Sequence, residues 1–376
     1  MSINDTKDKV LKIPDRSDYL RDQRRSGQEI MGVLPALYPR ELLWAFNILP
    51  AEIWDPPGEI LLANVHLQAS ICPIVKRGLE FILKSPEIIN SGYLFPHTCD
   101  SLQNLGTQVK DLIGVPVPVY TFYNPKGEFN KASKRYYSEI LFNLQKTLEK
   151  SHGLLSQNQL KAACELGHKI DIRRQMLHAA LMEDRFDLSN REYFQLIRAA
   201  EYMQGQDYLD LLNHVEINEQ IGVAPRARLL VTGILPPGDD ILNFLDESRV
   251  RIVSEDLLSG SRRIPIVEMD QPDDPMEYLV ERFFLLPPCS TKAGGLDKRL
   301  QYLKKLIAKS RCHGVLFNTV KFCEPELFDQ HFLIKSMKVM GLPVLNLETE
   351  LQPGLSGQEK TRIEAFLEML DEGVPV

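Results

Sequence analysis

A chain of 376 residues, 44% hydrophobic and 25% charged, has the make-up of a globular protein large enough for two or three cores. Its 44 basic against 51 acidic residues leave a net charge of −7, which argues against nucleic acid as the main partner. No stretch reaches the roughly 18 apolar residues that cross a bilayer, and the first 25 residues lack the apolar centre of a secretory signal. A cytoplasmic protein without a membrane partner is expected.

Residues 1–30 read as an N-terminal arm. "GVLPALYPRELLWAFNILPAEIWDPP" then predicts a turn, a helix beginning near Pro39 and a short strand around "AEIW". In "LQASICPIVKRGLEFILKS" the spacing of Ile74, Leu79, Phe81 and Ile82 predicts a helix. Pro73 is tolerated only in a first turn, which puts Cys72 at the helix N-terminus. "GYLFP" is a strand, "CDSLQNLGTQVKDLIG" a helix opened at Asp100 and closed by Gly114, and "VPVYTFYNP" another strand. Strands alternating with helices indicate a parallel sheet covered on both faces, here residues 31–127.

Residues 128–222 change character. "KRYYSEILFNLQKTLEKSHG" and "NREYFQLIRAAEYMQGQDYLDLLNHVEINEQ" are charged and periodic, and predict a helical connecting region. Alternation resumes over 223–376, through "RARLLVTGILPPGDDILNFLDESRVRIVSEDLLSGSRR", the strands "GVLFNTV" and "LPVLNLETE", and a last amphipathic helix, "SGQEKTRIEAFLEML". "GILPPGDD" lacks both GxGxxG and the P-loop Lys-Ser/Thr pair, so it reads as a turn with Asp239 or Asp240 capping the next helix. The loosest loop is "LPPCSTKAGGLDKR", 286–299.

Six cysteines, at 72, 99, 164, 289, 312 and 323, form no CxxC pair and no disulfide framework. Taken singly, each reads as a small buried thiol. Three share a setting: Cys72, Cys99 and Cys323 each fall at the N-terminus of a predicted helix, two of them directly after a strand. Helix N-termini favour thiolates, and ligands of open parallel sheets collect at strand C-termini. Facing domains would bring the three together as ligands of a metal centre. Zinc prefers four local ligands in a closed site, so a three-cysteine iron–sulfur cluster suits the set better. His97, beside Cys99, is an alternative ligand or a hydrogen-bonded structural residue. Cys164 lies inside a helix and reads as packing; Cys289 and Cys312 do not repeat the pattern.

The motifs "LQASICPIVKRGLEFIL", "YLFPHTCDSLQNL", "GVLFNTVKFCEPELFD" and "SGQEKTRIEAFLEML", in that order from about residue 30 to 370, resemble the 2-hydroxyacyl-CoA dehydratase and benzoyl-CoA reductase family. The resemblance implies two Rossmann-like domains with a helical connecting region and a [4Fe-4S] cluster at the domain interface, its ligands corresponding to Cys72, Cys99 and Cys323. It also implies a heterodimer with a paralogous second subunit, an ATP-hydrolysing iron–sulfur activator that injects one electron, and a CoA thioester substrate. Dehydratases of this kind expel a 2-hydroxyl through a ketyl radical; reductases reduce the ring of benzoyl-CoA. The cluster motifs are shared, so oxidoreductase and lyase both stay open. "GVLPALYPRELL" looks like the smaller, electron-relaying subunit, with no hydroxyl at Ala36 or Leu37 and one at Tyr38; no acid–base residue is assigned. Arg262 and Arg263 read as solvated surface arginines, with CoA phosphate contact as the other reading. Glu324, beside Cys323, reads as a helix-dipole cap, with tuning of the cluster as the other reading. Rival readings are a homodimeric cluster protein of this fold reducing small molecules, and a non-catalytic electron-relay subunit.

Overall fold

The computed structural model describes residues 11–85, 87–127, 129–185, 187–218, 224–270, 273–292 and 295–372. Two four-stranded parallel sheets organise it. The first has the order β2-β1-β3-β4, from β1 (Glu29–Val33), β2 (Ile48–Glu52), β3 (Gly92–Pro96) and β4 (Val119–Phe122). The second repeats that order as β6-β5-β7-β8, from β5 (Ala227–Gly233), β6 (Val250–Leu257), β7 (Gly314–Val320) and β8 (Val344–Thr349). Strands β3 and β7 are buried at every position, as the uninterrupted runs "GYLFP" and "GVLFNTV" require of strands covered on both faces. The two α/β units are Rossmann-like, in line with the alternation in the sequence.

Strand β1 is a correction to the expected elements, because "EIMGV" carries a glycine that reads as part of a turn. Gly32 is there for close packing: a Cβ would sit 2.7 Å from the Tyr93 ring. Strand β1 begins at Glu29, at the end of the stretch 1–30 expected as an arm. The arm also contains α1 (Arg16–Arg25), whose first N–H groups are capped by the Asp15 carboxylate. Residues 1–10, and the expected boundary near 222, lie outside the described residues.

Around the first sheet run α2 (Arg40–Ala45), α3 (Ala63–His66), α4 (Pro73–Lys84) and α5 (Asp100–Gln108). A π-helical turn over Val109–Ile113 extends α5 until Gly114, at φ 69°, ends it. Then come α6 (Lys131–His152), α7 (Gln157–Met182), α8 (Asn190–Arg198) and α9 (Gly205–Asn213), three of them opened by capping boxes. The second sheet carries α10 (Asp239–Glu247), α11 (Pro275–Leu285), α12 (Leu296–Ser310), α13 (Glu324–Val339) and α14 (Gly357–Asp371). The cap of α10 is Gly238, not an aspartate. Asp239 instead pairs with Arg191 at 2.8 Å, and Asp240 accepts the Gly354 N–H.

The largest apolar core runs through the first sheet and α6–α7 and reaches Leu235, Leu258, Val320 and Cys323 of the second unit. Two smaller cores flank the second sheet. Buried ions tie the helices together: Asp171 of α7 accepts from Arg40 of α2 at 2.8 Å and from Arg282 of α11 at 2.6 Å. Among the described residues no helix is long and apolar enough to cross a membrane.

Candidate functional site: a thiol-lined seam

In an open parallel sheet the binding crevice lies at the strand C-termini where the order reverses. Here those points are between β1 and β3 and between β5 and β7. Cys99 follows β3 and Cys323 follows β7, each as the N-cap of the next helix, α5 or α13. Cys72 is the N-cap of α4, with Pro73 at N1.

The fold brings these three residues to one seam. The thiols of Cys72 and Cys323 face each other from opposite α/β units, and this contact is the main influence on both. It draws Cys72 below the ordinary thiol range and, with burial, pushes Cys323 well above it. Of the two, Cys72 is the more readily ionised. Burial pushes the Cys99 thiol up to about 11, and the charge of Cys72 adds to that effect. No sulfur closes a formal capping hydrogen bond. The first-turn N–H groups nevertheless point at them: Ile74 and Val75 toward Cys72, Ser101 and Leu102 toward Cys99, and Glu326 toward Cys323. Among the described residues, no three His, Cys, Asp or Glu side chains converge tightly enough to chelate a single metal ion.

Cys164 is fully buried in α7, with its sulfur 3.6 Å from the Pro275 carbonyl, in a packing position. Cys312 is half-buried after α12. His97 turns to Asp100 at 3.6 Å and meets the Tyr123 ring edge-on, as a structural histidine does. The Tyr38 hydroxyl donates to Glu52 at 2.8 Å.

The reading of Arg262 and Arg263 as solvated is overturned. Arg263 pairs with Glu52 of the first unit. Arg262 is 0% exposed and makes a bidentate pair with Asp256, both contacts 2.8 Å. Its Nη1 also reaches Glu326 at 2.6 Å and the Cys289 sulfur at 3.6 Å. These guanidinium groups are committed to carboxylates rather than free for phosphates. Glu324 is an exposed first-turn acid, while the acid held inside is Glu326.

Sequence reasoning missed the groups around the thiols. Cys289 is buried, and the described part of its loop is held rather than loose: Ser290 donates to Glu326 at 2.6 Å. Lys126 of the first unit donates to Thr98 and Thr291 carbonyls, at 2.8 and 2.9 Å, stitching the Cys99 turn to that loop. Arg77, one turn beyond Cys72 on α4, donates to Pro56 and Gly58 carbonyls at 2.9 and 3.1 Å and to the Leu351 carbonyl at 2.7 Å across the seam. A cleft of about 750 Å³ lies beside it, lined among others by Asp55, Arg198 and Pro236. Only the carbonyl partners of Lys126 and Arg77, or the carboxylate partner of Ser290, would have revealed these contacts, and all are remote in sequence.

Two parallel α/β units meeting over a thiol-lined seam define the class of protein. The chain belongs to the 2-hydroxyglutaryl-CoA dehydratase, D-component family, whose model matches residues 35–370. It is 27% identical to the (R)-phenyllactyl-CoA dehydratase beta subunit of Clostridium sporogenes, over 98% of both chains. It is 24% identical to the beta subunit of the (R)-2-hydroxyglutaryl-CoA dehydratase of Acidaminococcus fermentans, over 93% of this chain and 95% of that one. Identity to a benzoyl-CoA reductase subunit of Thauera aromatica is 22%, over 85% of each.

Proposed function

We propose that this chain is the iron–sulfur, electron-carrying subunit of an activator-driven radical enzyme that acts on CoA thioesters, either dehydrating a 2-hydroxyacyl-CoA or reducing a benzoyl-CoA-type ring. One observation carries the reading: sulfurs from both α/β units face one another at the strand C-termini, each at a helix N-terminus. The donor set suits a cluster. It offers soft sulfur ligands in an apolar seam with N–H groups directed at them, the surroundings that stabilise thiolates carrying iron.

Cys72, Cys99 and Cys323 would hold a [4Fe-4S] cluster, which when bound supplies one electron at low potential. Burial of Cys72 and Cys323 keeps water from the seam, and the first-turn N–H groups offset negative charge on the sulfurs. The domain division into an arm, an α/β unit, a helical connector and a second α/β unit belongs to the same proposal. So do the paralogous partner subunit and the ATP-hydrolysing activator. The names of the relatives, which include beta subunits of dehydratases and a reductase subunit, support a multi-subunit assembly.

Anaerobic purification followed by iron and sulfide analysis tests this. Cys72→Ala, Cys99→Ala and Cys323→Ala are each expected to lose most of the bound iron, and Cys164→Ala to keep it. Full iron loading in all four variants would exclude the ligand set. Activity on benzoyl-CoA and on a 2-hydroxyacyl-CoA, measured with the co-purified subunit and ATP, separates the two reactions.

A further inference from the structure

Helix α13 carries Cys323 at its N-terminus, yet its inner face near that end is polar. Glu326 and Gln330 are the buried side chains of its first two turns. Glu326 stands three residues after Cys323, and its backbone N–H is directed at the Cys323 sulfur. Its carboxylate is clamped: Oε1 accepts from Arg262 and from Ser290, both at 2.6 Å, and Oε2 accepts from Arg299 at 2.9 Å. Arg262 is fixed in turn by Asp256 at the end of β6 and by Thr232 of β5, at 3.2 Å. Arg299 of α12 also holds Asp329 at 2.9 Å. Arg262, Arg299, Asp256 and Glu326 are buried, and Asp329 is partly exposed at the edge of the network. A buried charge without its partner is strongly disfavoured, so this network admits very few arrangements of the α13 first turn.

We propose that Arg262 and Glu326 are positioning residues for Cys323, locking the first turn of α13 so that its N–H groups and thiol present one fixed direction to the seam. The inference rests on Cys72, Cys99 and Cys323 being cluster ligands, and it adds the residues that orient one of them. Neither Arg262 nor Glu326 is a ligand. Both act through the turn and through their charges: the carboxylate of Glu326 raises the electron density around the sulfur, and the Arg262 guanidinium lowers it.

The test uses the full chain and the variants Glu326→Gln, Arg262→Gln and Arg262→Lys, with Arg299→Met/Glu326→Met as a charge-balanced pair should a single variant fail to fold. In the metal-free protein, amide exchange at residues 323–327 is expected to quicken at least tenfold in Glu326→Gln and Arg262→Gln, while the first turn of α5 stays unchanged. Arg262→Lys is expected to recover part of that protection. In the iron-reconstituted protein, Glu326→Gln is expected to raise the midpoint potential and Arg262→Gln to lower it. General loosening would move both in one direction, whereas charges acting at the sulfur move them apart. Unchanged exchange in the charge-altered variants, or potentials shifted in the same direction, would overturn the proposal. A wild-type chain that binds no iron would count against the ligand reading instead, and the exchange data would still judge the positioning.

Discussion

The two α/β units place a cysteine after the third strand in the same way, but they hold it by different means. Cys99 rides on α5, whose buried residues are Leu102, Leu105 and Gly106; a Cβ at Gly106 would lie 3.0 Å from the Phe95 ring. Cys323 rides on α13, whose inner face opens with Glu326 and Gln330 before Leu333 and Met337, and whose outer face leaves Phe328 82% exposed. One helix is docked by shape and the other by charge. Shape tolerates small adjustments at modest cost, whereas a buried ion network is either satisfied or broken. The second unit is thus the fixed jaw of the seam and the first the adjustable one.

This contrast can be broken most severely at Asp256. Asp256→Asn leaves the buried Arg262 without its bidentate acceptor, and a loss of about 4 kcal/mol is expected in urea denaturation. Amide exchange should quicken at the start of α13 and not at α5; equal quickening at both would end the distinction. Leu102→Ala is the counterpart in the first unit, with a loss of about 3 kcal/mol and a local effect on α5.

A pH series sharpens the comparison further. Lys292 is 1% exposed, donates to the Phe283 and Leu286 carbonyls at 2.9 and 3.1 Å, and is pulled down to about 7, chiefly by burial. Between that value and the usual lysine range the unfolded chain binds the extra proton, so stability rises with pH. A gain of about 2 kcal/mol between pH 7 and 9 is expected in the urea midpoint, and is expected to be absent in Lys292→Met. The smallest effect falls on the stitch between the units. Lys126→Met removes two hydrogen bonds from an exposed lysine, and about 1 kcal/mol is expected, with exchange quickening at both the Cys99 turn and the Thr291 loop.

The sequence made the alternation of strands and helices readable because strands buried on both faces spell themselves as apolar runs. It also exposed the three cysteines, since Cys-Pro, Cys-Asp and Cys-Glu-Pro after a strand or turn mark helix starts. Strand β1 escaped because its glycine is explained by Tyr93, 61 residues further on. Arg262 and Arg263 escaped for a related reason: a charged pair in a loop looks solvated until its carboxylates are found, and Glu326 and Glu52 lie 64 and 211 positions away. Helix α13 was recognisable as a helix, but periodicity assigns apolar residues to the core and so does not foresee the buried Glu326 and Gln330 of its first two turns.

Arg77 gives the seam a mechanical property. It shares α4 with Cys72, and its guanidinium grips carbonyls on both sides of the gap. Parting the halves therefore strains the same rod that carries a sulfur at its tip. Any outside body that pries the molecule open, or squeezes it shut, transmits that movement to the thiol without touching it.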